Sequence, residues 1–202
     1  MAYNVMMYVI AFLAAYFIGN ISPSTMLARK QGLDIKKEGS GNAGTTNALR
    51  VMGKKAAIMT LVVDILKGLV AVILGWIIAG YPAYLWCGLF VFLGHVWPVL
   101  HKFKGGKGVA TTFGVVLTLC TPAALIALAI VALGTLISKR MSVGSIIGSA
   151  CLPILALIFR PDFIIPGLIM AVILIFNHRA NIGRLIRGEE PKLGFLDKEA
   201  KK

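Results

Sequence analysis

The chain has 202 residues, 58% of them hydrophobic and 14% charged; 21 Lys and Arg against 8 Asp and Glu leave a formal net charge of +13. It is too apolar and too sparsely charged for an ordinary soluble domain, and too hydrophobic for a disordered basic tail. Nucleic acid fits poorly as a partner, because the basic residues alternate with lipid-seeking segments and form no aromatic-studded face. The length suits one polytopic domain, 1–202, and basic clusters between apolar runs read as an integral membrane protein with its basic loops on one side.

Six apolar stretches follow in order: 5–21, 56–79, 83–100, 109–137, 143–159 and 163–176. Met1–Asn4 carries no Lys or Arg and the first run continues to Ile21, so the N-terminus reads as a retained span and not as a cleaved signal peptide. The fourth stretch holds 29 residues with Thr121-Pro122 near its middle. Proline removes a backbone donor and can end a helix, so this stretch is either one kinked helix or two short ones. Charge favours two. With the N-terminus outside and seven spans, Arg160 alone of the basic residues lies outside, Lys67 lies within a span, and the other 19 share the inner side with the C-terminus. The expected fold is therefore all-α, with seven transmembrane helices, N-terminus out and C-terminus in. A span ending at Cys120 reaches only ~18 Å as a helix, and such short segments suit a polar pocket near the cytoplasmic face. Cys87, Cys120 and Cys151 lie in apolar runs without metal or disulfide spacing.

Within the second stretch Asp64 and Lys67 stand three apart, on one helix face. An intramembrane ion pair is expensive; it serves either to hold the helix against its neighbours or as a pocket wall.

Polar residues concentrate in four segments that the seven-span arrangement places on one side. The first runs Gly39-Ser40-Gly41-Asn42-Ala43-Gly44-Thr45-Thr46-Asn47-Ala48-Leu49-Arg50. Glycine lets backbone N–H groups approach an anion, and the residues after Gly44 can open a helix whose N-terminus favours negative charge; a plain flexible turn has the same composition. The second holds Gly94-His95-Val96-Trp97-Pro98 and then Lys104-Gly105-Gly106-Lys107-Gly108 before an apolar helix. Two ammonium groups, backbone donors and a helix start would converge there as an oxyanion or phosphate cradle, though not a Walker A loop, whose spacing is absent. A positive turn against lipid headgroups is the alternative, and His95 can equally be a satisfied internal histidine. The third is Asn177-His178-Arg179-Ala180-Asn181-Ile182-Gly183-Arg184, in which Asn177, Asn181 and Arg184 fall on one face of a continuous helix and His178 neighbours Asn181. Histidine is the side chain best placed to move protons near neutral pH. The fourth, Lys139 to Ser145, offers Ser142 and Ser145 with two cations.

No acidic cluster suited to Mg²⁺, no His-x-x-x-x-Asp, and no zinc set occurs, so metal-dependent transfer is not expected. An anion transporter built on basic half-helix ends is a rival reading. It ranks lower because the two halves show no paired repeat and the polar residues gather on one face instead of at the midplane.

Together, Gly39-Ser40-Gly41-Asn42…Thr46-Asn47…Arg50, Gly94-His95…Trp97-Pro98 with Lys104-Gly105-Gly106-Lys107-Gly108-Val109-Ala110-Thr111, and Asn177-His178…Asn181-Ile182…Arg184-Leu185 resemble the bacterial membrane glycerol-3-phosphate acyltransferases of the PlsY family, in order, spacing and hydrophobic frame. The resemblance implies acyl transfer from acyl phosphate to the 1-hydroxyl of sn-glycerol 3-phosphate. The products would be lysophosphatidic acid and inorganic phosphate, in the first acylation of phospholipid biosynthesis, downstream of an acyl-phosphate-forming enzyme. It further implies a multi-pass protein of the bacterial plasma (inner) membrane with its site on the cytoplasmic side.

Two phosphate-bearing substrates suit two cationic glycine loops. On this reading Lys104, the Gly105–Gly108 backbone and Lys107 hold one phosphate, and Ser40, Arg50 and Ser142 or Ser145 the other. Gly41, Asn42, Thr46, Asn47, His95, Asn177 and Arg184 belong to the binding set by the resemblance. His178 accepts the hydroxyl proton or orients the hydroxyl, with Asn181 positioning it. A substrate phosphate oxygen is the rival base, and a covalent acyl-Ser40 is possible but unneeded with so activated a donor.

Overall fold

The computed structural model describes residues 2–194, and among them there are helices and no strands. The chain forms two compact units, one up to Leu119 and one from Cys120 on.

In the first unit, α1 (Ala2–Gly19) is followed by the short α2 (Pro23–Lys30), the long α3 (Thr45–Ala79), α4 (Ala83–Val96) and α5 (Val109–Leu119). Gly53, at φ +82°, breaks the helical path of α3 and sets off a leading piece, 45–52, from the apolar remainder; only glycine takes that backbone conformation cheaply. Small residues set the helix crossings. A Cβ on Gly94 of α4 would run into the Tyr16 carbonyl of α1, and one on Gly114 of α5 into the Ile65 carbonyl of α3. Such close backbone approach is how helices associate in lipid, where apolar burial drives nothing.

In the second unit, α6 (Thr121–Ser138), α7 (Met141–Phe159), α8 (Ile164–Asn177) and α9 (Arg179–Ile186) follow. Helix α5 stops and α6 starts at Cys120, whose backbone is extended (φ −160°, ψ 94°), with Pro122 in the first turn of α6. The 109–137 stretch is thus two helices, with the proline at the start of the second, where its missing N–H costs nothing. Between α6 and α7 the left-handed Lys139 turns the chain, and the Ser138 hydroxyl brackets the turn by donating to Gly134 O (2.6 Å) and accepting from Arg140 N (3.1 Å). Gly144 of α7 sits where a Cβ would meet the Val131 carbonyl of α6.

Beside an apolar core that includes Leu85, Phe92 and Phe163, many large apolar side chains face outward and many polar ones are buried. Ile77, Ile137, Leu157 and Ile158 point outward, while Asn20, Thr60, Asp64, Lys67, His95, Ser142, Ser145, Ser149, His178 and Asn181 are buried. Outward apolar and inward polar side chains are what a hydrocarbon surrounding selects. Among the described residues five helical segments are long and apolar enough to cross a bilayer, or six if the bent 161–186 pair is one span. Helix α5, at 11 residues, is about 16 Å long, half a hydrocarbon core.

One local expectation changes. α8 ends at Asn177 and α9 starts at Arg179, with a 50° bend between their segments. Asn177 and Asn181 therefore do not share the face of one continuous helix. His178 occupies the junction itself.

Candidate active site

In the first unit, the loop before α3 is organised by one amide. The Asn47 side chain accepts from Ser40 N (2.8 Å) and donates to Ile35 O (3.2 Å) and Glu38 O (3.0 Å). Asn47 is buried and its carboxamide is committed to holding this loop. Ser40 and Arg50 are exposed, and Gly41, Asn42 and Thr46 half-buried. Gly39 and Gly41 both take positive φ (+58° and +69°), which turns the loop back on itself. The expected helix does open at Thr45, after Gly44, which has no side chain to satisfy the first amides.

The second loop lies on the end of α4. Gly105 N donates to Val96 O (3.1 Å) and Gly106 N to His95 O (3.2 Å). No room is left for a side chain: a Cβ on Gly106 would strike His95 Nε2 and stand 3.1 Å from Ala43 O, and one on Gly108 would strike the Phe92 ring. Ala43 belongs to the first loop, so the structure brings the two glycine segments together over His95. Helix α3 starts two residues after Ala43, and α5 starts immediately after Gly108, whose carbonyl accepts from Thr112 N (2.8 Å). Two helix N-termini, each preceded by glycine, open beside one another, and such ends attract anions. The hydroxyls of Thr45, Thr111 and Thr112 in these first turns are buried without a hydrogen-bond partner among the described residues.

The surroundings are positive. Lys104 is exposed and Lys107 half-buried. Lys36 donates to His101 O (2.9 Å), tying the two loops a second time. Burial holds the Lys36 pKa below the usual lysine range; the cations Arg29, Lys104 and Lys102 push the same way, against the pull of Asp34. The turn at 97–103 is steadied from α1: the Tyr16 hydroxyl donates to Trp97 O (2.8 Å), and Leu100 N donates to Asn20 Oδ1 (3.1 Å).

In the second unit, His178 is buried and its Nδ1 stands 2.8 Å from Leu174 O. A carbonyl only accepts, so Nδ1 carries the hydrogen; a neutral ring with that tautomer has Nε2 as its acceptor nitrogen. Asn181 Nδ2 donates to Glu190 Oε1 (2.6 Å), and Arg184 Nε donates to Glu190 Oε2 (2.7 Å). Arg140 Nε donates to the Glu190 carbonyl (2.9 Å), and Leu193 N to Lys139 O (2.8 Å), so the segment after α9 folds back onto the α6–α7 turn. Burial raises the Glu190 pKa, but the bonds from Asn181 and Arg184 and the Arg184 charge outweigh it; the carboxyl stays below its ordinary value. Glu190 thus ties Asn181 and Arg184 of the third segment to Arg140 of the fourth. Ser145 is buried one turn further along α7, its carbonyl accepting from the Ser149 hydroxyl (2.7 Å). Asn177 is half-buried at the end of α8.

Sequence reasoning missed Glu190 and Arg140 as members of the set. Glu190 follows Gly188, whose positive φ (+73°) reverses the chain. No helical spacing relates Glu190 to Asn181, and the only hint was an acidic residue placed after a basic helix.

A family model for glycerol-3-phosphate acyltransferases matches residues 9–188. The chain belongs to the glycerol-3-phosphate acyltransferase family. A glycerol-3-phosphate acyltransferase of Finegoldia magna is 45% identical over 198 residues, covering 95% of this chain and 98% of that one; one of Thermoanaerobacter pseudethanolicus is 44% identical over 189 residues, covering 92% and 96%. Among solved structures, the integral membrane glycerol 3-phosphate acyltransferase PlsY superposes with a TM-score of 0.88 in its glycerol 3-phosphate form and 0.85 in its lysophosphatidic acid form. In both cases identity is 30%, with 94% of this chain and 96% of that one covered. These relations establish the PlsY family, an all-α integral membrane fold, and acylation of glycerol 3-phosphate as the family's reaction.

Proposed function

We propose that the protein transfers an acyl group from acyl phosphate to the 1-hydroxyl of sn-glycerol 3-phosphate, releasing lysophosphatidic acid and inorganic phosphate. The observation that carries this reading is the junction of the two glycine loops over His95, where two helix N-termini, three unpartnered hydroxyls and a lysine-rich surround meet. That is a seat for a phosphate group. The glycerol 3-phosphate and lysophosphatidic acid forms in which PlsY was solved support the acceptor and the product.

In this reading both units act as one domain, 1–202; the family match across 9–188 spans their boundary. Helix α5 completes seven spans, with the N-terminus outside, the C-terminus inside and the site on the cytoplasmic side of the bacterial plasma membrane. A polar acceptor then arrives from water and a greasy donor from the bilayer. Lys104, the Gly105–Gly108 amides and Lys107 take one phosphate. Ser40, Gly41, Asn42, Thr46 and Arg50, with Ser142 or Ser145, take the other. Asn47 serves by shaping the first loop.

His178 Nε2 receives the proton of the 1-hydroxyl as its oxygen attacks the acyl carbonyl. The carbonyl C–O bond to phosphate breaks, and the proton passes to the departing phosphate. Asn181 and Arg184, held by Glu190, present their donors beside this step, and Asn177 lines its edge. Acyl phosphate is already an activated mixed anhydride, so the step needs neither coenzyme A, acyl carrier protein nor metal; an acyl-phosphate-forming enzyme must supply the donor.

Purified protein given palmitoyl phosphate and glycerol 3-phosphate is expected to release inorganic phosphate, and palmitoyl-CoA is expected not to replace the donor. Turnover with the thioester alone overturns the donor assignment. Cysteines placed at Lys104 and Arg179 should react with a membrane-impermeant maleimide from the same side of oriented vesicles; opposite sides would overturn the shared site.

A further inference from the structure

Within the first unit, Lys67 sits among four acceptors. Its Nζ is 2.7 Å from Asp64 Oδ1, 2.8 Å from Ile21 O, 3.2 Å from Gly19 O and 2.6 Å from His95 Nδ1. Asp64, Lys67 and His95 are 2%, 3% and 6% exposed, which makes this a dry network. Burying a cation and an anion inside an apolar helix is costly and persists where the pair has a task.

The geometry decides how the His95 ring carries its hydrogen. The two carbonyls and the carboxylate around Lys67 only accept, so Lys67 keeps its hydrogens and points them outward. At 2.6 Å from that ammonium, Nδ1 has to accept; an Nδ1–H would confront the hydrogens of Lys67. The alternative partner for such an Nδ1–H, Asp64 Oδ1, is 3.4 Å away, beyond good hydrogen-bond length. The ring hydrogen therefore sits on Nε2, the atom that lies against Gly106.

We propose that Asp64 and Lys67 are positioning residues that lock His95 as its Nε2–H tautomer, aiming a neutral donor at an anion held by the Gly105–Gly108 loop. The inference rests on that loop being a phosphate seat, and its chemistry is specific. A histidine in the opposite tautomer would turn a lone pair toward the anion. Lys67 also ties the end of α1 and the middle of α3 to α4, so the ammonium that selects the tautomer fixes where His95 stands beneath the loop.

The test uses full-length protein labelled with ¹⁵N-histidine in detergent. The ring resonances of His95 are assigned by their loss in His95→Gln. The wild-type ring is expected to show a protonated Nε2 and an unprotonated Nδ1, and Lys67→Met to mix or invert the tautomers. A wild-type Nδ1–H, or an unchanged ring in Lys67→Met, overturns the proposal. In kinetics, Lys67→Met is expected to raise KM for one phosphate-bearing substrate about tenfold or more, the worth of a hydrogen bond to a charged group, with a smaller change in kcat. His95→Gln places an amide donor near the Nε2 position without needing Lys67. Adding Lys67→Met to His95→Gln should therefore change KM by less than about twofold, since residues acting through one partner are non-additive. Equal losses in both backgrounds would make Lys67 merely structural and overturn the positioning role. The expected tautomer with unchanged KM values would overturn the donor role and with it the phosphate reading of the loop, while leaving the ring geometry standing. Should Lys67→Met not fold, the wild-type spectrum and Asp64→Asn decide the same questions.

Discussion

Adding one methyl group at Gly106 tests the phosphate seat most directly. In Gly106→Ala the new Cβ would overlap His95 Nε2, stand 2.8 Å from His95 Cε1 and 3.1 Å from Ala43 O. The imidazole cannot swing away easily, because Nδ1 is held by Lys67 at 2.6 Å. The loop must lift instead, which strains the bonds from Gly105 N to Val96 O and from Gly106 N to His95 O. Overpacking of this kind costs about 1–3 kcal/mol. If the cost falls on the bound state, transition-state stabilisation drops by about 5- to 150-fold. Initial rates of phosphate release, with each substrate varied in turn, should show the loss mainly as a raised KM for one substrate. Gly194→Ala, where a Cβ meets nothing within 4 Å, is the control and should be neutral. Gly106→Ala with both KM values and kcat within twofold of wild type would refute the claim that the loop backbone contacts substrate.

Other outcomes follow from the same contacts. Asn47→Ala removes three hydrogen bonds from the first loop and should cost about 2–4 kcal/mol, lowering the melting temperature in detergent by roughly 5–15 °C; a shift below 2 °C would mean the loop holds itself. His178→Ala should lower kcat by about 10²–10⁴-fold; near-normal kcat with only a raised KM would pass the base role to a substrate phosphate. Glu190→Gln should lower both melting temperature and activity by loosening Asn181 and Arg184. Because the folded Glu190 pKa lies below the ordinary 4.5, its contribution is complete above that value and fades as pH falls through the lower folded value. The melting difference between wild type and Glu190→Gln should therefore shrink below pH 4.5, and a difference that grows on acidification would contradict the assignment.

Much of this protein is written in local pattern. Apolar run length sets which segments enter the bilayer, and Pro122 after Cys120 divides the 109–137 stretch because a proline belongs at a helix start. The glycine loops were legible for the same reason: Gly105, Gly106 and Gly108 bring backbone amides close to whatever they hold, and a side chain would forbid it. The spacing of Asp64 and Lys67 was visible too, since residues three apart are neighbours on one helix face.

Other relations depend on chain segments far apart in sequence, which no periodicity records. Nothing in the spacing of Lys67 and His95 says that they touch, or that the carbonyls of Gly19 and Ile21 complete the same shell. Asn47 reads as a binding residue until Ile35, Glu38 and Ser40 are seen to occupy its amide. The bend at His178 cancels the helical register that would align Asn177 with Asn181. Glu190 gains its meaning only when Gly188 turns the chain back to Arg140 and Asn181. Sequence alone determined which segments are apolar and which loops suit an anion, because those properties belong to single residues and near neighbours. Tertiary structure decided which polar atoms are already committed to one another, because a buried hydrogen bond belongs to two places in the chain at once.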